Sequence, residues 1–200
     1  EILGDGLFRH AVAVVEQVPL VNRMRDRGVQ ILGEIELGFL AEQGRVIAIT
    51  GTNGKTTTTT LTGEIMKAHF GKDKTFVVGN IGNPYTLEAD KTSKDSVTVG
   101  EISSFQLETI HTFHPVVSAI LNITPDHLNR HHTMEAYVAA KEAVASQQTK
   151  ADICVLNYDN DYTRDFAGRC PATPVLFSSH HELENGYFLR GDKIIKSVNG

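Results

Sequence analysis

The sequence has few cysteines, no long hydrophobic run and no excess of basic residues, and each absence excludes a class of protein. Two cysteines, Cys154 and Cys170, are too few for a disulfide-stabilised secreted scaffold, so a reducing cytoplasm is the expected location. No apolar run approaches the ~20 residues of a membrane-spanning helix. With 19 Lys and Arg against 24 Asp and Glu, the net charge of −5 argues against a nucleic-acid-binding surface.

The ends of the sequence also lack the features of a complete chain. It begins with Glu1, its opening residues do not resemble a signal peptide, and it stops directly after a predicted hairpin. Hydrophobic residues make up 40% and charged residues 22%, as in ordinary globular proteins. We therefore expect part of a longer protein, with residues 1–43 as the tail of one domain plus a linker and residues 44–200 as a second, incomplete domain.

Short β-branched runs predict the strands of this second domain. Six runs occupy residues 45–50, 75–78, 96–99, 116–121, 153–156 and 175–177. A hairpin follows at residues 187–196, with Gly191 and Asp192 as its two-residue turn. Helices are predicted between strands at residues 56–70 and 133–148. This alternation predicts an α/β fold, a mostly parallel sheet with helices on both faces.

The helices carry further expectations. Residues 56–70 place Leu61, Ile65, Met66 and His69 on one face, and Thr133 can cap the helix at residues 133–148. Residues 11–27 are helix-like and residues 29–32 strand-like, as expected for the end of a preceding α/β domain.

The strongest local motif lies between the first strand and the first helix of this domain. Glycines in such a loop let backbone N–H groups point at one anion, and the helix N-terminus adds partial positive charge. Lys55 would meet the terminal phosphates and the Thr56 hydroxyl would coordinate Mg²⁺. Ile49 stands where the standard pattern has glycine, so the loop is shorter, and an ordinary capped turn is the alternative. The motif comprises Gly51, Thr52, Asn53, Gly54, Lys55, Thr56 and Thr57.

Polar residues follow two further strands. Glu101 comes at the end of the third strand, where a parallel sheet presents ligands, although a solvated acidic residue is the simpler alternative. The segment at residues 122–132 follows the fourth strand, which we expect to be a parallel neighbour of the third. Glu101 and His127 should then meet at one magnesium cluster. His127 and His131 are four residues apart and would share a helix face, which suggests a metal-dependent hydrolase as a rival interpretation.

Five motifs, in this order along the chain, resemble those of the Mur ligase family. They lie at residues 51–57, 79–82, 101–108, 122–128 and 137–141. The similarity implies that residues 44–200 are a P-loop-type ATP-binding central domain and that residues 1–43 end a uridine-nucleotide-binding domain. Gly100 departs from the larger residue usual in the family before the acidic one.

The resemblance also implies roles for individual residues. Lys55 would hold the β- and γ-phosphates of ATP, and Thr56 with Glu101 would hold a first Mg²⁺ ion. His127 would hold a second Mg²⁺ ion, and Lys141 would be carbamylated. Lys55, His127 and Lys141 are therefore the implied catalytic residues. The implied contacts of the muramoyl substrate are Asn80 and Ser103.

The activity implied by the resemblance is that of a cytoplasmic ligase of peptidoglycan synthesis. It would join D-glutamate to UDP-N-acetylmuramoyl-L-alanine with ATP, through an acyl phosphate, and would need no nucleic acid, membrane or obligate protein partner. The part given by this sequence, without a C-terminal domain, is expected to be inactive alone. A folylpolyglutamate-type ligase, disfavoured by the string at residues 103–106, and a nucleotide-binding module without catalysis are further alternatives.

Overall fold

The computed structural model describes residues 19–199 and contains one mixed sheet with helices on both faces. The strands are β1 (Arg45–Thr50), β2 (Thr75–Gly79), β3 (Val97–Glu101), β4 (Val117–Ile120), β5 (Ile153–Asn157), β6 (Thr173–Ser178), β7 (Gly186–Arg190) and β8 (Lys193–Ser197). The helices are α1 (Pro19–Asp26), α2 (Glu34–Ala41), α3 (Lys55–Phe70), α4 (Ser104–Leu107), α5 (Leu128–His131), α6 (Met134–Glu142) and α7 (Asp161–Ala167). Within residues 19–199, none of these helices has the length and apolar character needed to cross a membrane.

The strand order is β2-β3-β1-β4-β5-β6-β7-β8. Neighbours from β2 to β7 pair in parallel, and β8 returns antiparallel to β7 through the turn at Gly191 and Asp192. The predicted parallel α/β sheet and its closing hairpin are confirmed. The expectation that β3 and β4 are neighbours is wrong, because β1 lies between them. The apolar side chains of β1 point to both faces of the sheet, as expected for a central strand.

One face of the sheet packs against α3. Ile49, Val99 and Ala119 form a small core there with Met66. The predicted apolar face of this helix is wrong in part, because Leu61 and Ile65 are exposed. The helix turns Gly63 toward the sheet instead, where an added Cβ would lie 2.5 Å from a methyl group of Val77. Close approach of α3 to β2 therefore requires a small residue and turns the larger side chains outward.

The larger core lies on the other face, under α2, α6 and α7. Buried side chains of β1, β4 and β5 meet those of the three helices there; they include Ile35, Val46, Ala48, Ile120, Tyr137, Cys154, Leu156 and Phe166. On the α3 face, the half of the sheet beyond β4 forms an apolar groove of about 700 Å³ lined by residues such as Val155 and Val175.

The structure differs from the sequence-based prediction in three local elements. Residues 29–32 form no strand, and of the helix expected at residues 11–27 the structure describes Pro19–Asp26, the rest lying outside the described residues. The helix predicted to reach residue 148 is α-helical only to Glu142 and then tightens into a short 3₁₀ turn. Gln148 leaves the helix because its side chain bonds to Ser118 and to the carbonyls of Pro115 and Ile153.

Helix α2 is tied to the loop between α4 and β4 by a buried carboxylate. The carboxylate of Glu36, 1% exposed, accepts hydrogen bonds from the backbone N–H groups of His111, Thr112 and Phe113 and from the Thr112 hydroxyl. Burial opposes its ionisation, but these bonds outweigh burial and lower the pKa of Glu36. These contacts join α2 to the loop that precedes β4. The division of the chain at residue 43 stays a prediction.

Candidate active site

The register of the sheet brings the motifs to one edge. Ile49 of β1 pairs with Glu101 of β3, which also pairs with Gly79 of β2, while Thr50 pairs with Ile120 of β4. The residues that follow these four strands therefore meet at the carboxyl edge of the sheet, where parallel α/β sheets bind ligands.

The loop after β1 has the backbone of a phosphate-binding loop. Gly51 has φ of 148° and Gly54 has φ of 82°, values that favour glycine, and Gly54 caps the first turn of α3. Asn122 holds the loop from the neighbouring strand. Its side chain accepts a hydrogen bond from the Asn53 N–H (2.9 Å) and donates one to the Asn53 carbonyl (3.0 Å), while its own carbonyl accepts from the Thr52 N–H.

Lys55 is the first residue of α3, so it lies at the positive end of the helix. Its Nζ donates to the carbonyls of Gly51 (3.0 Å) and Thr52 (2.9 Å), which folds the side chain back over the loop. Thr56 and Thr57 follow in the exposed first turn of the helix. A cation, two hydroxyls and free helix N–H groups therefore share one loop, a combination suited to the terminal phosphates of a nucleotide.

Lys141 lies on α6 and points into the same loop. It is 2% exposed, and its Nζ donates to the Gly51 carbonyl at 2.8 Å, the acceptor that Lys55 also uses. Burial lowers the pKa of Lys141 to about 7, and the positive charge of Lys55 adds to the lowering, while Asp126 opposes it. Lys141 is therefore a buried amine that is substantially neutral near pH 7.

Glu101 is the buried carboxylate of this edge, at 2% exposure. Its Oε1 accepts a hydrogen bond from the Asn80 amide (2.8 Å), whereas its Oε2 is buried without any hydrogen-bond partner. A buried carboxylate oxygen that protein groups leave unsatisfied is costly, and a cation would satisfy it. Glu101 thus has the features expected of a residue that coordinates magnesium.

Asn80 follows β2 and is held beside Glu101 from both ends. Its backbone N–H donates to the Glu101 carbonyl (2.8 Å) and its side-chain amide to the Glu101 carboxylate. Gly79 permits this approach, because an added Cβ would lie 2.3 Å from the Glu101 carbonyl oxygen. Asn80 therefore orients the carboxylate while its own side chain remains at the surface.

Ser103 has a local structural role that the sequence analysis missed. Its hydroxyl accepts the Gln106 N–H, and the Gln106 side chain accepts the Ser103 N–H, which forms a capping box at the start of α4. The spacing Ser-x-x-Gln is the pattern of such a box and was the signal available. The box fixes the half-buried Ser103 at the carboxyl edge.

His127 is exposed at the beginning of α5 and adopts φ of 51°, unusual for a side chain other than glycine. Its Nε2 lies 3.3 Å from the Asp126 carboxylate, and its ring meets Phe105 edge-on at 5.0 Å. His127 precedes α5 as its N-cap residue, and both its ring and that of His131 contact Phe105. The two differ in burial, because His131 is buried whereas His127 is exposed.

Two contributors to this edge were not identified from the sequence as functional. Tyr137 hydrogen-bonds through its hydroxyl to Thr52 (3.1 Å), and the Nζ of Lys141 lies 4.7 Å from its ring centre. Asp126 is the acidic group that acts on Lys141. Among residues 19–199, no three His, Cys, Asp or Glu side chains converge as a metal site.

Comparison with known families gives one match over most of the chain. The Mur ligase middle domain matches residues 49–197. Two relatives named UDP-N-acetylmuramoylalanine–D-glutamate ligase are similar in sequence. The one from Lachnospira eligens is 58% identical over 91% of this chain and 40% of its own length. The one from Lachnoclostridium phytofermentans is 59% identical over 88% of this chain and 38% of its own length.

Solved structures have the same fold. The crystal structure of MurF ligase from Thermotoga maritima in complex with ADP aligns with a TM-score of 0.57 and 18% identity, over 82% of this chain and 41% of that one. The chain spans about two fifths of the length of the curated relatives it matches. The sheet, the loop and the family match lead to one conclusion: the chain belongs to the Mur ligase family and contains its middle domain.

Proposed function

We propose that the full-length protein carrying this chain is an ATP-dependent ligase of peptidoglycan synthesis that joins D-glutamate to UDP-N-acetylmuramoyl-L-alanine. The observation that carries the nucleotide chemistry is the buried, unpartnered Oε2 of Glu101 on the strand beside the loop of Lys55. The substrates rest on the printed names of the relatives at 58% and 59% identity.

In this proposal the loop at residues 51–57 binds the phosphates of ATP. Lys55 exchanges its bonds to the loop carbonyls for bonds to the β- and γ-phosphates. The Thr56 hydroxyl and Glu101 would hold one Mg²⁺ ion, and His127 would hold a second. Bound there, the metal would neutralise charge on the phosphate oxygens during transfer.

The reaction proceeds in two steps. The carboxylate of UDP-N-acetylmuramoyl-L-alanine attacks the γ-phosphorus of ATP, and the bond to ADP breaks, which gives an acyl phosphate and ADP. The amino group of D-glutamate then attacks the acyl carbon and loses a proton, and phosphate leaves. Asn80 and Ser103 hold the muramoyl substrate, and Lys55 stabilises the charge that develops on the transferring group.

Lys141 is proposed to be carbamylated. A neutral amine is the form that attacks CO₂, and the pKa of about 7 supplies that form near neutral pH. The N–C bond forms as the amine loses a proton, and the product is an anion. The modification places a negative charge close to Lys55, which attracts it, whereas a protonated Lys141 would be repelled by Lys55.

The remaining proposals concern the setting of the enzyme. We place it in the cytoplasm, because its nucleotide substrates are cytoplasmic and both cysteines are free and buried. Residues 1–43 are proposed to end a uridine-nucleotide-binding domain and residues 44–200 to form the ATP-binding domain. The amino-acid site and a C-terminal domain would lie outside this chain.

The test is phosphate release by the full-length protein supplied with ATP, Mg²⁺ and UDP-N-acetylmuramoyl-L-alanine. We expect sustained release only when D-glutamate is added, and little with L-glutamate as the matched control. Release that needs a folate and glutamate instead would establish the folylpolyglutamate alternative. Nucleotide binding without release under any of these conditions would reduce the protein to a binding module.

A further inference from the structure

A buried cluster lies beside the proposed binding site of the muramoyl substrate and joins two segments that are distant in sequence. We call it the Ser104–His131 cluster; its members are Ser104, Phe105, Glu108, Arg130 and His131. Ser104, Phe105 and Glu108 lie in or beside α4, while Arg130 and His131 lie in α5. The first segment also carries Ser103 and the second begins after His127.

His131 is the centre of the cluster and contacts α4 through both ring nitrogens. Its Nε2 lies 3.0 Å from the Ser104 hydroxyl, and its Nδ1 lies 3.4 Å from a Glu108 carboxylate oxygen. Because the carboxylate only accepts, the ring presents its Nδ1 proton to Glu108, and its Nε2 bonds to the Ser104 hydroxyl. Ser104 is 3% exposed and His131 8%, so water does not compete for these contacts.

The surrounding side chains reinforce the same connection. Arg130 pairs with Glu108 at 2.7 Å and lies over the Phe105 ring at 4.1 Å. The Phe105 ring stacks on His131 with 5.4 Å between centroids and meets His127 with its edge. Each member of the cluster therefore contacts at least one member from the other segment.

The order Ser104–His131–Glu108 is that of a hydrolase triad, but its environment excludes that function. A nucleophilic serine has to reach a substrate carbonyl, whereas Ser104 is buried in the capped turn of α4. A metal-ligand role for His131 is excluded as well, because both ring nitrogens face α4. The cluster is therefore built to hold two backbone segments together.

We propose that His131 is a positioning residue that locks α4 onto α5 and so sets the separation between Ser103 and His127. The inference rests on the proposed function, which places Ser103 at the muramoyl substrate and His127 at the metal near its carboxylate. Fixing these two groups before binding preserves affinity, because the substrate need not order them. The loop that binds ATP is held by Asn122, and its contact with the cluster runs through the Tyr137 ring, against which a phenylalanine at position 131 would still pack.

The test compares His131→Phe with the unaltered full-length protein. Phenylalanine keeps a ring against Phe105 and Tyr137 but removes both nitrogens. We expect the KM for UDP-N-acetylmuramoyl-L-alanine to rise about tenfold, the loss usual when a buried hydrogen-bonding group is left unpaired, and the KM for ATP to stay nearly constant. His131→Gln, which can still bond to Ser104, should restore part of the difference. A merely structural role would lower the active fraction and leave both KM values unchanged.

Hydrogen–deuterium exchange tests the connection between α4 and α5 without requiring turnover. We expect faster exchange of residues 103–108 and 127–132 in His131→Phe, with β5 unchanged. The matched control is His114→Phe, which removes a histidine–carboxylate pair with Asp152 (2.8 Å) at the opposite edge of the sheet and should alter neither readout. If His131→Phe does not fold, Ser104→Ala removes one partner with a smaller change and the same expectations apply.

The outcomes separate the two proposals. Unchanged exchange in residues 103–108 and 127–132, or a KM for the muramoyl substrate equal to that of the unaltered protein, overturns the positioning role. Absence of turnover in the unaltered protein overturns the proposed function instead, and the exchange measurement then decides by itself whether His131 locks the two helices.

Discussion

Two buried glutamates of this domain differ in what surrounds them. Glu36, on α2, is 1% exposed and accepts four hydrogen bonds that occupy both carboxylate oxygens. Glu101, at the carboxyl edge, is 2% exposed and has one bonded oxygen and one buried oxygen without a partner. Burial alone does not distinguish them, whereas completeness of hydrogen bonding does.

The difference indicates what each glutamate does. A buried charge whose bonds are all made within the protein stabilises the fold. A buried group that the fold leaves unsatisfied is a cost, and such costs persist where a ligand later compensates them. Lys141 carries a similar cost, since burial opposes its charged form and lowers its pKa to about 7. Changes at Glu101 and its neighbours at the carboxyl edge should therefore affect activity, and changes at Glu36 should affect stability.

The largest effect is expected for Lys55→Ala. Loss of the cation that neutralises the transferring phosphoryl group should reduce ligase turnover by on the order of 10³-fold. The free energy of unfolding should change by less than about 0.5 kcal/mol, because the side chain only covers the loop. Lys67→Ala is the matched control, since Lys67 pairs with Glu64 near the other end of α3. Equal turnover in the two variants would contradict the role of Lys55.

Glu101→Gln should have the next largest effect. Glutamine keeps the shape and the contact with Asn80 but removes the charge, so turnover should fall by about 10²-fold. The melting temperature should stay constant or rise, because the substitution removes an uncompensated buried charge. Turnover and thermal unfolding are measured on the same preparation. A large loss of stability with normal turnover would place Glu101 in the structural class of Glu36.

Glu36→Gln should show the reverse behaviour. Loss of charge-assisted bonds to residues 111–113 should lower the free energy of unfolding by about 2–3 kcal/mol, with turnover of the folded enzyme unchanged. Since the folded pKa of Glu36 is lowered, its stabilising contribution is complete above pH 4.5 and declines as the pH falls through the folded value. Denaturant unfolding at several acidic pH values should show a shallower decline in the variant. An equal decline would remove Glu36 from the comparison.

The smallest effect concerns Lys141 and stability. The folded pKa of about 7 lies below the ordinary 10.5, so between these values the unfolded chain binds more protons than the folded one. The free energy of unfolding should then rise with pH above 7, by up to about 1.4 kcal/mol per unit, relative to Lys141→Met. Denaturant unfolding at pH 7 and pH 8 in CO₂-depleted buffer measures this. Parallel pH dependence of the two proteins would show that Lys141 is not desolvated.

Much of the fold could be predicted because its determinants are local. The β-branched runs, the glycines of the loop and the cap at Thr133 act over a few residues, and strand positions agree with the structure within about two residues at most ends. Leu61 and Ile65 are exposed, contrary to the apolar helix face predicted from the sequence. An apolar pattern along a helix does not reveal which face of the helix can pack closely against the neighbouring strand. Gly63, opposite Val77, decided that face.

The sequence by itself determined the α/β class, the phosphate-type loop and the family, since each depends on residue types at fixed short spacing. The tertiary structure alone decided which groups meet. Lys141 reaches the carbonyl of Gly51, 90 residues away, and Ser104 reaches His131, 27 residues away. It also decided that β1 separates β3 from β4 and that Glu101 keeps one oxygen unsatisfied. The physical reason is that hydrogen-bond satisfaction and desolvation depend on every atom within a few ångströms, and chain folding brings those atoms from distant parts of the sequence.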